Sequence, residues 1–357
     1  MKFIQSRRLR DRQLAVKRMF GESSAPASGH QYLGQKRHKD LKSFLKSMLR
    51  LLMPINLKMN RPFNDEVIYC WGCIPAFGRY VVDLDNVYSL AGYNLSRFRV
   101  SKVLIALLLS SRRCVGIRAI SAACKRSVTE NFGAKIGAKT TVIYPCEGLE
   151  SAQKPKQFNG KIFFVGSQFS VKGGKILVKF IDMVNQQHPE CSFVVVAHVP
   201  EQYRKKLERN ETVTTLKPEF TRLELLDYIQ SEASVLFHPS LMESFGMVIL
   251  EALSVGVPAL SFDFYNLPEL VVNGRSGFNV HLVESKWVGV TANPEAWHSD
   301  QYYEISDETA DEYASLFAAA LDQLIADYDT HSTGALKHFN ELKQKTLTDL
   351  LNNIGNK

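Results

Sequence analysis

Between residues 66 and 262 short apolar runs alternate with longer segments that are apolar on one side. The runs EVIYCW, RYVVDLD, CVGIRAIS and TTVIYP are rich in β-branched and aromatic residues, as expected of strands buried on both faces. Helices are predicted between them, at about 98–112 and 122–132. A second set follows: KIFFVGS, CSFVVVAH, TVTTLKP, ASVLFHPS and PALSFDF. Its predicted helices cover 173–187, 200–209, 221–231 and 246–255. Strand–helix alternation predicts parallel sheets covered by helices on both faces. The Gln/Lys/Pro-rich stretch 151–160 separates the sets, which gives predicted domains over 61–155 and 156–330. Residues 308–329 and 333–352 read as closing helices, with 331–357 as the C-terminal one.

The first 60 residues have a different texture. A basic helix is predicted over 1–20, a Gly/Ser/Ala/Pro-rich linker over 21–35, and a second basic helix in KDLKSFLKSMLRLLM, which Pro54 ends. In the second helix Leu41, Phe44, Leu45, Met48, Leu49 and Leu52 share one face. That face either packs on the protein's own core or lies on an anionic membrane surface. The charge is concentrated here: residues 1–60 hold 14 Lys/Arg against Asp11, Glu22 and Asp40, whereas the whole 357-residue chain carries +8. At 45% hydrophobic and 22% charged residues the chain is globular in composition, not disordered. Its longest strongly apolar stretch, Val103 to Leu109, falls far short of the roughly 20 residues of a membrane span. No secretory pattern opens the chain, so the expected place is the cytoplasm, on the inner face of a membrane if residues 1–60 anchor there. The basic segment lacks interleaved aromatic residues, so nucleic acid is not expected as a partner.

The strongest chemical signal is VLFHPSLMESFGMVILEALSVGVP at 235–258: an apolar strand, a short loop, and a helix from about Gly246. Ligands of doubly wound sheets bind at the carboxyl ends of strands, and a helix that follows offers amide donors and the positive end of its dipole. Ser244, Phe245, Gly246 and Met247 are placed to present amides to an anion such as a diphosphate. Glu243 could accept hydrogen bonds from sugar hydroxyls and Glu251 from ribose hydroxyls; alternatively, both carboxylates simply favour the helix start electrostatically.

The spacing of Glu243 and Glu251 within ESFGMVILEALSVGVP resembles the Glu-x7-Glu signature of retaining glycosyltransferases of family four, which have the GT-B fold. KIFFVGSQFSVKGGKILVKF (161–180) is similar to that family's strand and Gly-Arg-x-x-x-x-Lys-Gly turn through Gly166, Lys172 and Gly173. NLPELVVNGRSGFNV (266–280) and AISAACKRSVTENFG (119–133) resemble two further blocks. The resemblance covers about residues 65–330. It implies an α/β fold of two Rossmann-like doubly wound domains facing a cleft: a reduced acceptor domain, then a donor domain, behind the basic extension. It also implies transfer of a sugar, with retention, from a UDP- or GDP-sugar co-substrate to a saccharide or lipid-linked saccharide, in surface polysaccharide, lipopolysaccharide or glycolipid assembly. No cofactor and no metal are expected. On the matching positions, Glu251 is implied to bind ribose, Glu243 the donor sugar, Phe245 and Gly246 the diphosphate, and Lys172 the leaving diphosphate, with Gly166 and Ser167 lining the site. A sugar-nucleotide epimerase of the same fold, and a membrane-associated protein with a vestigial site, are the alternatives.

Ser167 stands where that family has Arg, so a charge is missing; Lys175 and Arg275 are candidate substitutes. Asp83-Leu84-Asp85 matches the Asp-x-Asp metal motif of the other large glycosyltransferase fold, but Asp85 and Asn86 are read as lining the acceptor side or capping the next turn. Trp71, at a strand end, is a further acceptor-side candidate. Cys70 and Cys73 form a lone Cys-x-x-Cys, read as buried structural thiols. His198 and His238 each follow a strand and either reach the cleft or pack.

Overall fold

The computed structural model describes residues 3–4, 55–58, 67–152 and 155–355. The predicted basic helices of 1–20 and 39–53 lie outside these, apart from Phe3 and Ile4, which form a short strand instead. The chain divides into two compact units, Met1–Gly148 with Thr346–Lys357, and Leu149–Lys345.

In the first unit the apolar runs become β2 (Val67–Trp71), β3 (Arg79–Leu84), β4 (Cys114–Ala119) and β5 (Thr140–Val142). With β1 (Phe3–Ile4) they form a parallel sheet in the order β1-β2-β3-β4-β5. Ile68, Tyr80, Val82, Leu84 and Ile117 are fully buried, which explains the unbroken apolar character of these strands. Helices α1 (Leu95–Ser110), α2 (Ala122–Phe132) and α3 (Ala134–Ala138) lie between them in sequence. The Asn94 side chain caps α1 by accepting from Arg97 N at 2.9 Å, and Ser121 caps α2 by accepting from Cys124 N at 3.0 Å. One expectation is corrected: Cys70 and Cys73 are buried, but they are joined in a disulfide. The cause is local. β2 stops at Trp71, and Gly72, with φ 54°, folds the chain back so that the two Cα atoms stand 5.6 Å apart. The remaining cysteines, Cys114, Cys124, Cys146 and Cys191, are buried.

The second unit holds β6 (Lys161–Gln168), β7 (Ser192–His198), β8 (Val213–Leu216), β9 (Val235–His238), β10 (Ala259–Phe262) and β11 (Gly277–Val280). They form one parallel sheet in the order β8-β7-β6-β9-β10-β11. The chain runs outward from β6 to β8, then returns to the other side of β6 with β9. The strand order therefore reverses between β6 and β9, the switch point at which open α/β sheets leave a crevice beyond the strands' carboxyl ends. Helices α4 (Gly174–Gln187), α5 (Glu201–Glu208), α6 (Arg222–Glu232), α7 (Met247–Ser254), α8 (Leu267–Leu270), α9 (Pro294–His298) and α10 (Asp307–Ala326) accompany the sheet, and α11 (Tyr328–Gly355) closes the chain. Phe180 of α4 stacks on Phe237 of β9 at 4.1 Å, and Phe317 of α10 meets Phe237 and Phe262 edge-on at 5.0 and 5.1 Å. Strand β11 and a hairpin of Trp287–Val288 with Thr291–Ala292 are additions to the predicted elements. A Cβ at Gly277, where φ is 138°, would overlap the Ala259 carbonyl, so glycine is what lets β11 pair with β10.

Candidate functional site

Two loops meet at the switch point. The first runs from the end of β6 to the start of α4. Gly166, near the end of β6, has no Cβ because the side-chain stem of Lys172 occupies that space. Gly173, with φ 77°, opens α4 against the Pro239 carbonyl, where any Cβ would collide. The glycines at 166 and 173 are therefore packing devices that aim Lys172 and seat the second loop. That loop, between β9 and α7, is held by Leu241 N donating to Val171 O at 3.0 Å, Tyr302 Oη donating to Leu241 O at 3.1 Å, and Asn266 Nδ2 donating to Phe245 O at 2.6 Å.

The side chains these loops carry converge on Glu243. Lys172 Nζ lies 2.5 Å from Glu243 Oε2, and His238 Nε2 lies 3.2 Å from the same oxygen. The other carboxylate oxygen accepts from Ser244 N at 3.2 Å and, more weakly, from Phe245 N at 3.5 Å. Burial alone would raise the Glu243 pKa, but the Lys172 ammonium and the His238 N–H outweigh it and hold the carboxyl well below its usual range. His238 is fully buried at the end of β9, and burial pushes its pKa down despite the neighbouring carboxylate, so it is neutral and donates through Nε2.

Two features differ from the sequence expectation. The amides of Ser244 and Phe245, expected to face an anion, are turned to Glu243's own carboxylate in the free protein. Glu251 is buried and ion-paired, Arg222 Nε to Oε1 at 2.7 Å, where a ribose contact or simple electrostatic support of the helix start was expected. Gly246 caps α7 with φ 91°, and the first-turn amides of Met247 and Val248 are the orphan donors of a helix start. Ser167 is exposed near the end of β6. In the free protein both proposed substitutes for the missing Arg charge have partners outside the Glu243 cluster: Lys175 Nζ holds Ile305 O at 2.7 Å and Asp307 at 2.9 Å, and Arg275 Nη2 holds Glu341 at 2.7 Å.

Arg222 is the site group that the sequence did not single out, and His238, read as either reaching the cleft or packing, is buried and lies 3.2 Å from Glu243. The position of His238 at a strand end was a usable signal; Arg222 had only its place at a helix start, beside the Thr221–Glu224 capping box.

The acceptor-side candidates belong to the first unit. Asp85 accepts from Asn86 N and from Tyr93 Oη, both at 2.8 Å. The Asn86 side chain accepts from Tyr88 N at 3.0 Å and caps the 3-10 turn Val87–Ala91. Trp71 is the partly buried last residue of β2. Asp83 accepts a hydrogen bond from Tyr69 Oη within the sheet, so it and Asp85 have different partners and surroundings. Among the described residues no group of three or more His, Cys, Asp and Glu side chains gathers as a metal site.

Residues 150–286, which contain all the second-unit site residues, match the family model for glycosyl transferases group 1. A D-inositol 3-phosphate glycosyltransferase of Streptomyces scabiei is 31% identical over 130 residues, which cover 33% of this chain and 29% of the relative. The matched part is thus less than a third of that relative's length. Among solved structures, the pneumococcal O-GlcNAc transferase GtfA in complex with UDP and GlcNAc aligns with a TM-score of 0.58 at 13% identity, over 88% of this chain and 60% of that one. Anabaena Alr3699/HepE in complex with UDP aligns with a TM-score of 0.53 at 18% identity, over 80% and 76%. These likenesses establish the fold class as GT-B, here with two parallel α/β units.

Proposed function

We propose that this chain, whose residues 150–286 are a domain of the glycosyl transferases group 1 family, moves a glycosyl group, with retention, from a nucleoside-diphosphate sugar to an acceptor hydroxyl. The observation that carries the reading is the meeting of Lys172, Glu243 and the start of α7 at the switch point between β6 and β9. UDP is the favoured donor nucleotide over GDP, because both structural neighbours above were solved with UDP. The diphosphate binds the Lys172 ammonium and the α7 amides, which stabilise the charge that grows on the leaving group, so this site meets that charge without a metal. Glu243 turns from Lys172 to the donor sugar's hydroxyls, and Glu251 shares its carboxylate between Arg222 and the ribose. With Glu243 taken up by the sugar hydroxyls, the acceptor oxygen attacks C1 on the face that the leaving group vacates, the C1–O bond to phosphate breaks, and the acceptor's proton goes to the departing phosphate oxygen. A saccharide or lipid-linked saccharide fits as acceptor, with surface polysaccharide, lipopolysaccharide or glycolipid assembly as the setting.

Calorimetric titration with UDP and GDP, followed by turnover of a nucleotide-sugar panel with the anomeric centre of the product read by NMR, tests this. UDP binding and a product of retained configuration are expected. Binding of neither nucleotide would mean a vestigial site, and an isomerised sugar nucleotide formed without acceptor would mean an epimerase.

A further inference from the structure

Helix α1 (Leu95–Ser110) is apolar on two opposite faces. Leu95, Phe98, Ile105 and Leu109 are buried against the first unit. Val100, Val103, Leu104 and Leu107, at spacings of three and four, form a second stripe that is 82%, 72%, 44% and 65% exposed. Other exposed apolar side chains, such as Leu223 and Leu316, stand singly on their helices, which is ordinary; a contiguous aliphatic stripe is not. The charge around α1 is equally one-sided. From Asn86 to Thr129 the sequence has eight Lys/Arg and no Asp or Glu, an excess equal to the +8 of the whole chain. Arg99, at the edge of the stripe, and Arg112, just past the end of the helix, are both exposed. No helix among the described residues is long and apolar enough to cross a membrane, and α1 has only 16 residues.

We propose that this face of α1 docks flat on an anionic lipid surface, the aliphatic stripe entering the headgroup boundary while Arg99 and Arg112 meet lipid phosphates. A second copy of the chain is the weaker occupant, because a self-complementary contact would bring these arginines against their own counterparts with no acid in the 86–129 stretch to offset them. The inference is independent of the transfer reading, which concerns the other unit. The test is co-sedimentation of the full chain with vesicles of phosphatidylcholine alone and with about 30% phosphatidylglycerol. Binding to the anionic vesicles, weakening as salt rises, is expected. Val103→Glu with Leu107→Glu should lower the partition coefficient at least about tenfold, and Arg99→Glu with Arg112→Glu should lower it and flatten its salt dependence. Leu107→Trp should add a tryptophan emission that shifts to the blue on anionic vesicles. All these positions are exposed, and circular dichroism melts would verify folding. Absence of vesicle binding, equal binding to neutral vesicles, undiminished binding by the Val103/Leu107 variant, or a variant that loses self-association instead of vesicle binding would each overturn the proposal.

Discussion

Two loops of this molecule, one in each unit, each follow a parallel strand and each carry an acid. In the first unit Asp85 follows β3, and its carboxylate accepts from Asn86 N and Tyr93 Oη, donors within eight residues of it. In the second unit Glu243 follows β9, and its carboxylate takes a cation from a loop 71 residues away together with the imidazole of His238. The topology explains the difference. Among the described strands, the first sheet runs β1 to β5 without reversal, so β3 lies between neighbours that continue in one direction. The second sheet reverses between β6 and β9, and two loops distant in sequence open at the same point. The local turn offers its acid donors close in sequence; the switch point brings an ammonium to its acid from a loop 71 residues away, a charge that a ligand can exchange.

The sharpest way to break the second loop is through its seat. Gly173→Ala places a Cβ on the Pro239 carbonyl at a φ of 77°, a combination of overlap and backbone strain. A loss of about 3 kcal/mol or more is expected in urea unfolding. Gly92→Ala, in the turn that follows Asp85, tests the contrast: φ is 68°, but nothing lies within 4 Å of the added Cβ. There only the strain remains, about 1–2 kcal/mol.

The next effect concerns charge. Lys172→Ala and Glu243→Gln are each expected to reduce sugar transfer at least about tenfold, with folding retained. In the wild-type protein the depressed Glu243 pKa contributes stability that is present above the unfolded value, about 4.3, and is lost as pH falls toward the folded value. Glu243→Gln should remove that acid-side loss in chemical denaturation between pH 3 and 5, to within about half a pH unit. Full transfer activity in either variant would leave the two acids equivalent, and the distinction drawn from topology would fail.

Much of this architecture was legible in the sequence, because strands such as KIFFVGS and CSFVVVAH have few polar positions to hide their pairing. Lys172 and Glu243 were each visible through local motifs. Their ion pair was not, since it depends on how two loops 71 residues apart meet. The same holds for Arg222 with Glu251, which requires the start of α6 to lie beside α7. β11 was hidden because Asn273-Gly274 and Gly277 resemble a turn followed by a glycine, while its pairing depends on the space beside Ala259. In Cys-Trp-Gly-Cys the signal was present in Gly72, whose left-handed φ brings the cysteines together.

His238 gives a smaller, pH-dependent effect. Burial keeps its folded pKa below the ordinary value, so the unfolded chain takes up a proton more readily than the folded one. Stability contributed by the neutral ring is complete above the unfolded pKa, about 6.5, and declines as pH falls below it. The slope is at most about 1.4 kcal/mol per pH unit. His238→Gln keeps a donor for Glu243 and cannot ionise, so its stability should be flatter between pH 5 and 6.5, to within about a few tenths of a pH unit. An unchanged slope would mean that the buried imidazole is not the group that titrates on unfolding.

The smallest effect belongs to the first loop. Asn86→Ala removes the side chain that caps Val87–Ala91 and should cost about 1 kcal/mol in thermal or urea unfolding. Because Asn86 acts on its own turn, transfer measured at saturating donor and acceptor should stay within about twofold of wild type. The converse result would carry more information. A large rise in acceptor KM with stability intact would mean that the turn after β3 binds substrate, and that its local hydrogen bonds, like the Lys172–Glu243 pair, are the resting arrangement of a site. The two loops would then differ in how far along the chain their acids' partners come from and not in whether they serve the reaction, because a carboxylate held by hydrogen bonds can still exchange them for sugar hydroxyls.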